Sequence, residues 1–353
     1  MAPPLAVTLG EPAGIGPELL WRLWCERQKH TLPVFLWVAP PDLLRARLPE
    51  PAFQPVAHPA EAPRVFGDRL PVFWPEETET MGDNLLARLV PGRPDPAFAP
   101  WVTRSIETAV TLARRHQVGG IVTLPIQKAT LAAGGFSFPG HTEFLAHLAG
   151  LRPSDVAMMF VAGGLRVVPA TIHCALAEVP GRITPALLRR RLRVMQTALV
   201  RDFGIPHPRI AVAGLNPHAG ENGLMGWEEQ EIIAPVLDRL RKEEGLDLAG
   251  PLPADSLFAP PNRTRYDAVL AMYHDQALIP VKALDFSGSV NVTLGLPFLR
   301  TSPDHGTALD LVGDQRADPG SLLSALSLAS EIADRRAQLP AAIAPAQKKA
   351  GQA

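Results

Sequence analysis

The chain has 353 residues, 46% of them hydrophobic and 20% charged, with a net charge of −1. That apolar content suffices for a packed core and the length suggests two domains, while the near-neutral balance leaves no footprint for nucleic acid or an anionic membrane. Two cysteines, Cys25 and Cys174, make neither a disulfide framework nor a C-x-x-C. With no signal-peptide features and no apolar run of membrane-spanning length, a soluble, cytoplasmic protein is expected.

In chain order, Leu5–Leu9 reads as a strand. GEPAGIG and Pro17 follow, a turn opening into a helix that runs through Trp24. Val34–Val38 is a second strand, and Pro51 to Pro100 is rich in turn signals with a short strand at Arg69–Phe73. Trp101–His116 has helical periodicity, and Gly120–Leu124 is a buried strand ending in the polar PIQK. Leu165–Ile172, Ile210–Leu215 and Ala268–Met272 are further strands. Trp227–Glu243 is an amphipathic helix that Pro235 should kink or restart. Ser321–Arg336 is a last helix with Ser321 as a possible cap, and the tail 339–353 is expected to be mobile. Strands separated by helices imply an α/β fold with a mostly parallel sheet.

Three histidines end predicted strands: His173 in VVPATIH, His218 after AVAGLNP and His274 in AVLAMYH. Ligands gather at strand carboxyl ends in open α/β sheets, and three imidazoles there can hold one divalent metal with positions left open for substrate. A lone histidine of this kind is more often just hydrogen-bonded in a loop; three in equivalent places favour a shared site. GEPAGIGPELL fails as a dinucleotide fingerprint, because Leu19 stands where the third glycine belongs. A tight turn that seats a helix is at least as good a reading.

Lys128 and the following GHTE, with His141 and Thr142, are the parts expected for gripping an anion. Thr142 has a second reading as the cap of the next helix. GLNPHAGENG, dense in Gly and Asn, signals a sharply bent backbone. Lys282, Asn291 and Arg300 are candidates for phosphate or carboxylate.

The motifs GEPAGIGPE, PIQK, GHTE, TIHCAL, GLNPHAGENG, YHDQALIPVK, VNVTLGLPFLRTS and DHGTALDLVG together resemble the 4-hydroxythreonine-4-phosphate dehydrogenase family of pyridoxal phosphate biosynthesis, from about Val7 to about Leu328. DHGTALDLVG also resembles the adenine-binding loop of isopropylmalate and isocitrate dehydrogenases. The resemblance implies their two-domain α/β/α fold, with the active site in the interdomain cleft. The first domain would comprise residues 1–125 plus 290–338, and the second 126–289. It implies a homodimer with shared active sites, and one divalent metal (Zn, Mg or Co) on His173, His218 and His274, one of them from the partner. A small phosphorylated substrate would be held by His141, Thr142, Lys282, Asn291 and Arg300, with Lys282 and His141 as catalytic groups. NAD or NADP would lie along Asp304, His305, Gly306, Thr307 and Asp310. The implied reaction oxidises 4-phosphooxy-L-threonine at C3, with loss of CO2 to give 3-amino-2-oxopropyl phosphate. Related enzymes that oxidise D-threonate or D-erythronate 4-phosphate or a cis-dihydrodiol dicarboxylate are alternatives, as is a non-catalytic binding protein on the same fold. Gln127, Ala277 and GDQRADPGSL depart from the family pattern without removing a proposed ligand.

Overall fold

Short runs rich in Val, Ile, Leu and Phe form strands because such side chains pack well on a pleated surface. The computed structural model describes residues 3–48, 52–75, 81–313 and 316–338; the tail expected to be mobile lies outside them. The strands are β1 Leu5–Thr8, β2 Phe35–Val38, β3 Phe53–Pro55, β4 Leu70–Phe73, β5 Gly120–Val122 and β6 Ala157–Ala162. They continue with β7 Leu165–Pro169, β8 Arg209–Ala213, β9 Asp247–Leu252, β10 Ala268–Ala271, β11 Val290–Leu294 and β12 Arg300–Pro303. All join one sheet in the order β3-β4-β2-β1-β5-β12-β11-β6-β7-β10-β8-β9.

The sheet is mostly parallel, as expected, except at its centre. From β3 to β12 neighbours are parallel, and so are β7, β10, β8 and β9. Between these runs, β12–β11, β11–β6 and β6–β7 are all antiparallel. Three reversals make the two parallel runs point in opposite directions. Strands β1, β2 and β10 are buried at every position, as strands covered on both faces should be. The central strands are nearly as buried, but they carry polar side chains on one face. In β11, Val290, Val292 and Leu294 are buried in the main core, while Asn291 is half-buried. In β12, Thr301 turns to the last helix, donating to Ala325 O at 2.9 Å, which sends Arg300 and Ser302 to the opposite face.

The last helix is Gly320–Gln338, and Ser321 does not cap it. Its Oγ donates to Ser289 O (2.6 Å) and accepts from Asp304 N (2.9 Å), lacing the starts of β11 and of the loop after β12; the Asp318 carboxylate takes Gly320 N instead. Pro235 restarts its helix: a π-helical segment, Glu229–Ile233, precedes the α-helix Ala234–Glu244. Strands β3, β6, β9, β11 and β12 have no counterpart among the sequence-read strands.

Candidate active site

The floor of the site follows from strand register. Asn291 lies opposite both Ser302 and Phe160, and Thr293 opposite Met158, so these residues share one face of β12, β11 and β6. A cavity of about 310 Å³ opens over that face, with Thr123 at the end of β5 on its edge. It therefore lies across the face of three central strands, not beyond the carboxyl ends of one parallel run. Four groups of residues complete the wall: Lys128, the Gly140–Glu143 turn, His173 with His274, and Asp304–Gly306.

Arg300 is 3% exposed at this floor. Its Nη1 donates to Thr293 Oγ1 at 2.9 Å, and Nε and Nη2 donate to Thr123 Oγ1. Burial pulls the guanidinium from 12.5 to about 9, so it stays charged at neutral pH, with only hydroxyl partners among the described residues. Three polar atoms of the cavity wall are sealed from solvent without a partner: His141 Nε2, Asn291 Oδ1 and His305 Nε2. Unpaired buried polar atoms are costly and mark a place where a polar ligand belongs.

Gly140 precedes the helix His141–Leu148, and a Cβ there would press on Lys128 Cε at 3.3 Å. Thr142 is therefore inside the helix and not its cap, which leaves its side chain to the cavity. Burial, then the charges of Arg300 and Lys128, hold the His141 imidazole well below its ordinary value, so it is neutral. His173 is also shifted down, by burial, then Lys128 and His274.

His173 and His274 meet, with ring centroids 5.9 Å apart. The Asp275 carboxylate accepts from His274 Nδ1 at 2.7 Å, which orients the ring and leaves Nε2 outside that contact. Their strand ends are laced together. Thr171 Oγ1 donates to Met272 O (2.8 Å), and Gln276 accepts from Met272 N (2.6 Å) while donating to Gly214 O (2.9 Å) at the end of β8. His218 follows on an exposed turn, outside the cavity wall, and no group of three metal-ligating side chains forms among the described residues. The turn is unusual: His218 to Asn222 all have positive φ, from 42° to 81°. A left-handed conformation costs a non-glycine residue about 1–2 kcal/mol, and four of these five are not glycine.

Lys282 stands behind the wall, its Nζ 3.2 Å from Asp304 Oδ2, which also accepts from Ser289 Oγ at 3.0 Å. The segment expected at the cofactor divides. Asp304, His305 and Gly306 line the cavity; Thr307 O instead accepts from Ile15 N (2.9 Å), and Asp310 is exposed in a short turn. GEPAGIG is a tight turn that seats the helix Gly16–Cys25, with Gly10 at φ +66° because a Cβ would lie 2.6 Å from Leu124 Cβ. Thr123, Thr293, Ser302, Met158 and Phe160 escaped sequence reading. A period-2 alternation of polar residues in VNVTL was the available signal.

The sequence profile of the family described as "Pyridoxal phosphate biosynthetic protein PdxA" matches residues 37–329. The chain belongs to that family. A 4-hydroxythreonine-4-phosphate dehydrogenase of Erythrobacter litoralis is 49% identical over 340 residues, 95% of this chain and 98% of the relative. The crystal structure of the enzyme of that name from Klebsiella pneumoniae superposes with a TM-score of 0.82 at 38% identity, covering 94% of this chain and 98% of that one. A terephthalate 1,2-cis-dihydrodiol dehydrogenase from Burkholderia xenovorans is more distant, with a TM-score of 0.64 at 29% identity, covering 94% and 98%. The family's mixed α/β architecture is thus the one described above.

Proposed function

We infer that the chain is a 4-hydroxythreonine-4-phosphate dehydrogenase of pyridoxal phosphate biosynthesis, an oxidoreductase that takes 4-phosphooxy-L-threonine to 3-amino-2-oxopropyl phosphate and CO2. The observation that carries this reading is the buried Arg300 guanidinium, charged and without a carboxylate among the described residues. A cation desolvated to that degree is suited to an anionic group of the substrate. Lys128 adds a second positive charge at the same cavity, and the backbone amides that open the helix His141–Leu148 add donors. Neutral His141, with Nε2 unpartnered, and Asn291 orient the polar substituents beside the reacting carbon. Lys282, paired with Asp304 behind the wall, is the second catalytic group, stabilising negative charge that develops on the substrate or relaying a proton.

The imidazoles of His173 and His274, the latter oriented by Asp275, fit a divalent cation such as Zn, Co or Mg. When bound, that cation would supply the Lewis acidity that makes a secondary alcohol's O–H acidic enough to ionise, and NAD or NADP along Asp304–Asp310 would supply the hydride acceptor. His218 completes the ligand set in a homodimer, one imidazole coming from a second copy of the chain. Large apolar side chains follow each histidine in sequence and face solvent: Leu176, then Leu224 and Trp227, then Ile279 and Phe286. Such exposure supports an interface on these segments. No helix among the described residues is long and apolar enough to cross a membrane, in keeping with a cytoplasmic enzyme. Strands of residues 1–125 and 290–338 fill one side of the β11–β6 seam and those of 126–289 the other, which supports two domains divided there.

The test is NADH formation by metal-reconstituted protein on 4-phosphooxy-L-threonine against D-threonate and D-erythronate 4-phosphates. Strong preference for the amino acid is expected. Preference for a sugar acid overturns the biosynthetic assignment, and tight binding of all three without turnover overturns the enzyme.

A further inference from the structure

The left-handed turn that carries His218 is held by a buried carboxylate, Glu229, which is 2% exposed. Its Oε1 accepts from Leu215 N (2.7 Å) and Asn216 N (2.8 Å), and its Oε2 from Asn216 Nδ2 (3.0 Å). Asn216 Nδ2 also donates to Glu228 Oε2 at 2.7 Å. Two glycines, Gly220 in the turn and Gly214 at the end of β8, let the backbone close over the carboxylate. A Cβ on Gly220 would stand 2.7 Å from Oε2, and one on Gly214 3.2 Å from Oε1. Glu229 begins the π-helical segment, a wider turn of the kind that recurs at functional sites.

These facts have one physical reading. Residues with side chains stay left-handed only where their surroundings over-determine them. Here the entry to the turn is pinned by two backbone amides and one side-chain amide on a single carboxylate, and its middle passes so close to the same group at Gly220 that a Cβ would not fit. His218 begins the left-handed stretch two residues after Asn216, so the backbone from which its imidazole projects follows directly on the entry that Glu229 holds.

We propose that Glu229 is the positioning residue for His218, orienting its imidazole for the divalent cation without touching the cation itself. The role rests on His218 being a metal ligand, as inferred above. In Glu229→Gln, one acceptor oxygen remains for the two backbone amides, but an NH2 group faces Asn216 Nδ2, donor against donor. Groups that orient a ligand typically change metal affinity by about 10–100-fold.

The experiment is calorimetric titration of Co2+ alone into the metal-free full-length protein: unsubstituted, Glu229→Gln, Gly220→Ala and His218→Ala. Glu229→Gln is expected to weaken Co2+ by about 10–100-fold, with kcat restored by excess Co2+ and KM for substrate then unchanged. Gly220→Ala, which keeps the carboxylate and pushes on it from the turn, is expected to weaken Co2+ as well. Unaltered Co2+ affinity in both variants, with His218→Ala binding none, overturns the positioning role alone. Unaltered affinity in all three overturns the metal assignment and the role with it. A loss in Glu229→Gln that follows a fall in melting temperature, and that excess Co2+ does not rescue, assigns Glu229 to folding and also overturns the proposal.

Discussion

Arg300 directs two of its nitrogens at one hydroxyl: Nε and Nη2 both donate to Thr123 Oγ1, at 3.1 and 2.6 Å. The contact crosses from β12 to the end of β5 and anchors the guanidinium without neutralising it. A carboxylate in that place would satisfy the charge and compete with an anionic substrate; a neutral hydroxyl orients it and leaves it available.

Arg300→Met should therefore separate function from stability. Losing one partner of a buried charge contact typically costs about 2–5 kcal/mol, so KM for the phosphorylated substrate is expected to rise about 30-fold or more. The ligand-free protein is expected to melt at the same temperature or higher, since a poorly compensated buried cation is gone. Scanning calorimetry with and without inorganic phosphate checks both halves. A phosphate-induced rise in Tm that survives the substitution rules Arg300 out as the anion-binding group.

His141 sets a pH dependence whose sign is fixed. Burial, then Arg300 and Lys128, put its folded-state value well below the ordinary 6.5. The unfolded chain then binds more protons as pH falls through 6.5, so stability drops on acidification until pH passes the folded value, below which this contribution stops changing. Removing the Lys128 charge with Lys128→Met is expected to move His141 upward and to shallow the stability loss just below 6.5. NMR titration of the imidazole reads it directly; an unmoved His141 would show that Lys128 does not act on it across the cavity.

The strands most legible in sequence were those buried on both faces, such as VVP in β7 and AVLA in β10, because a run of branched apolar residues has few other uses. The central strands were not. The polar residues in VNVTL and RTSP look like loop chemistry until three neighbours line up and give one face a cavity. His141, Thr142, Asn291 and Arg300 were found from residue type, and the structure brings them together. His305, read as a cofactor contact, lines the same cavity, because the chain turns at Asp304 where Ser321 and Lys282 hold it. Glu229 and Gln276 carry no such signal: a buried carboxylate and a bridging amide cannot be told from surface residues until their backbone partners arrive through space.

Gln276 joins the strand ends that precede His274 and His218, accepting from Met272 N and donating to Gly214 O. In Gln276→Glu the first bond survives, but a carboxylate oxygen faces the Gly214 carbonyl. A loss of about 1–3 kcal/mol is expected at neutral pH. Part of it should return on acidification, because the protonated carboxyl can again donate to Gly214 O. Urea denaturation across pH, referenced to the unsubstituted protein, checks it; a loss independent of pH would mean that the donor to Gly214 is not what matters.

Asp202 is 1% exposed and gripped from both sides. Arg201 donates at 2.6 and 2.9 Å, and Arg336 of the last helix at 2.8 and 3.0 Å. The contact ties the last helix, which packs on β12 and β5, to the end of the helix Pro185–Arg201, on the other side of the β11–β6 seam in sequence order. Burial by itself would raise the Asp202 carboxyl, but the two guanidinium groups outweigh it and the net direction is down. Its stabilising contribution is thus present above the ordinary carboxylate value of 3.8 and is lost as pH falls toward the lower folded one. Asp202→Asn leaves two part-buried cations facing a neutral amide, a change expected to cost about 3–5 kcal/mol. It should also remove part of the acid-induced loss that the unsubstituted protein shows below 3.8. Denaturant melts at neutral and acid pH decide the matter. A neutral-pH loss under 1 kcal/mol (roughly that of an exposed pair) would mean that the helices hold their places by apolar packing alone.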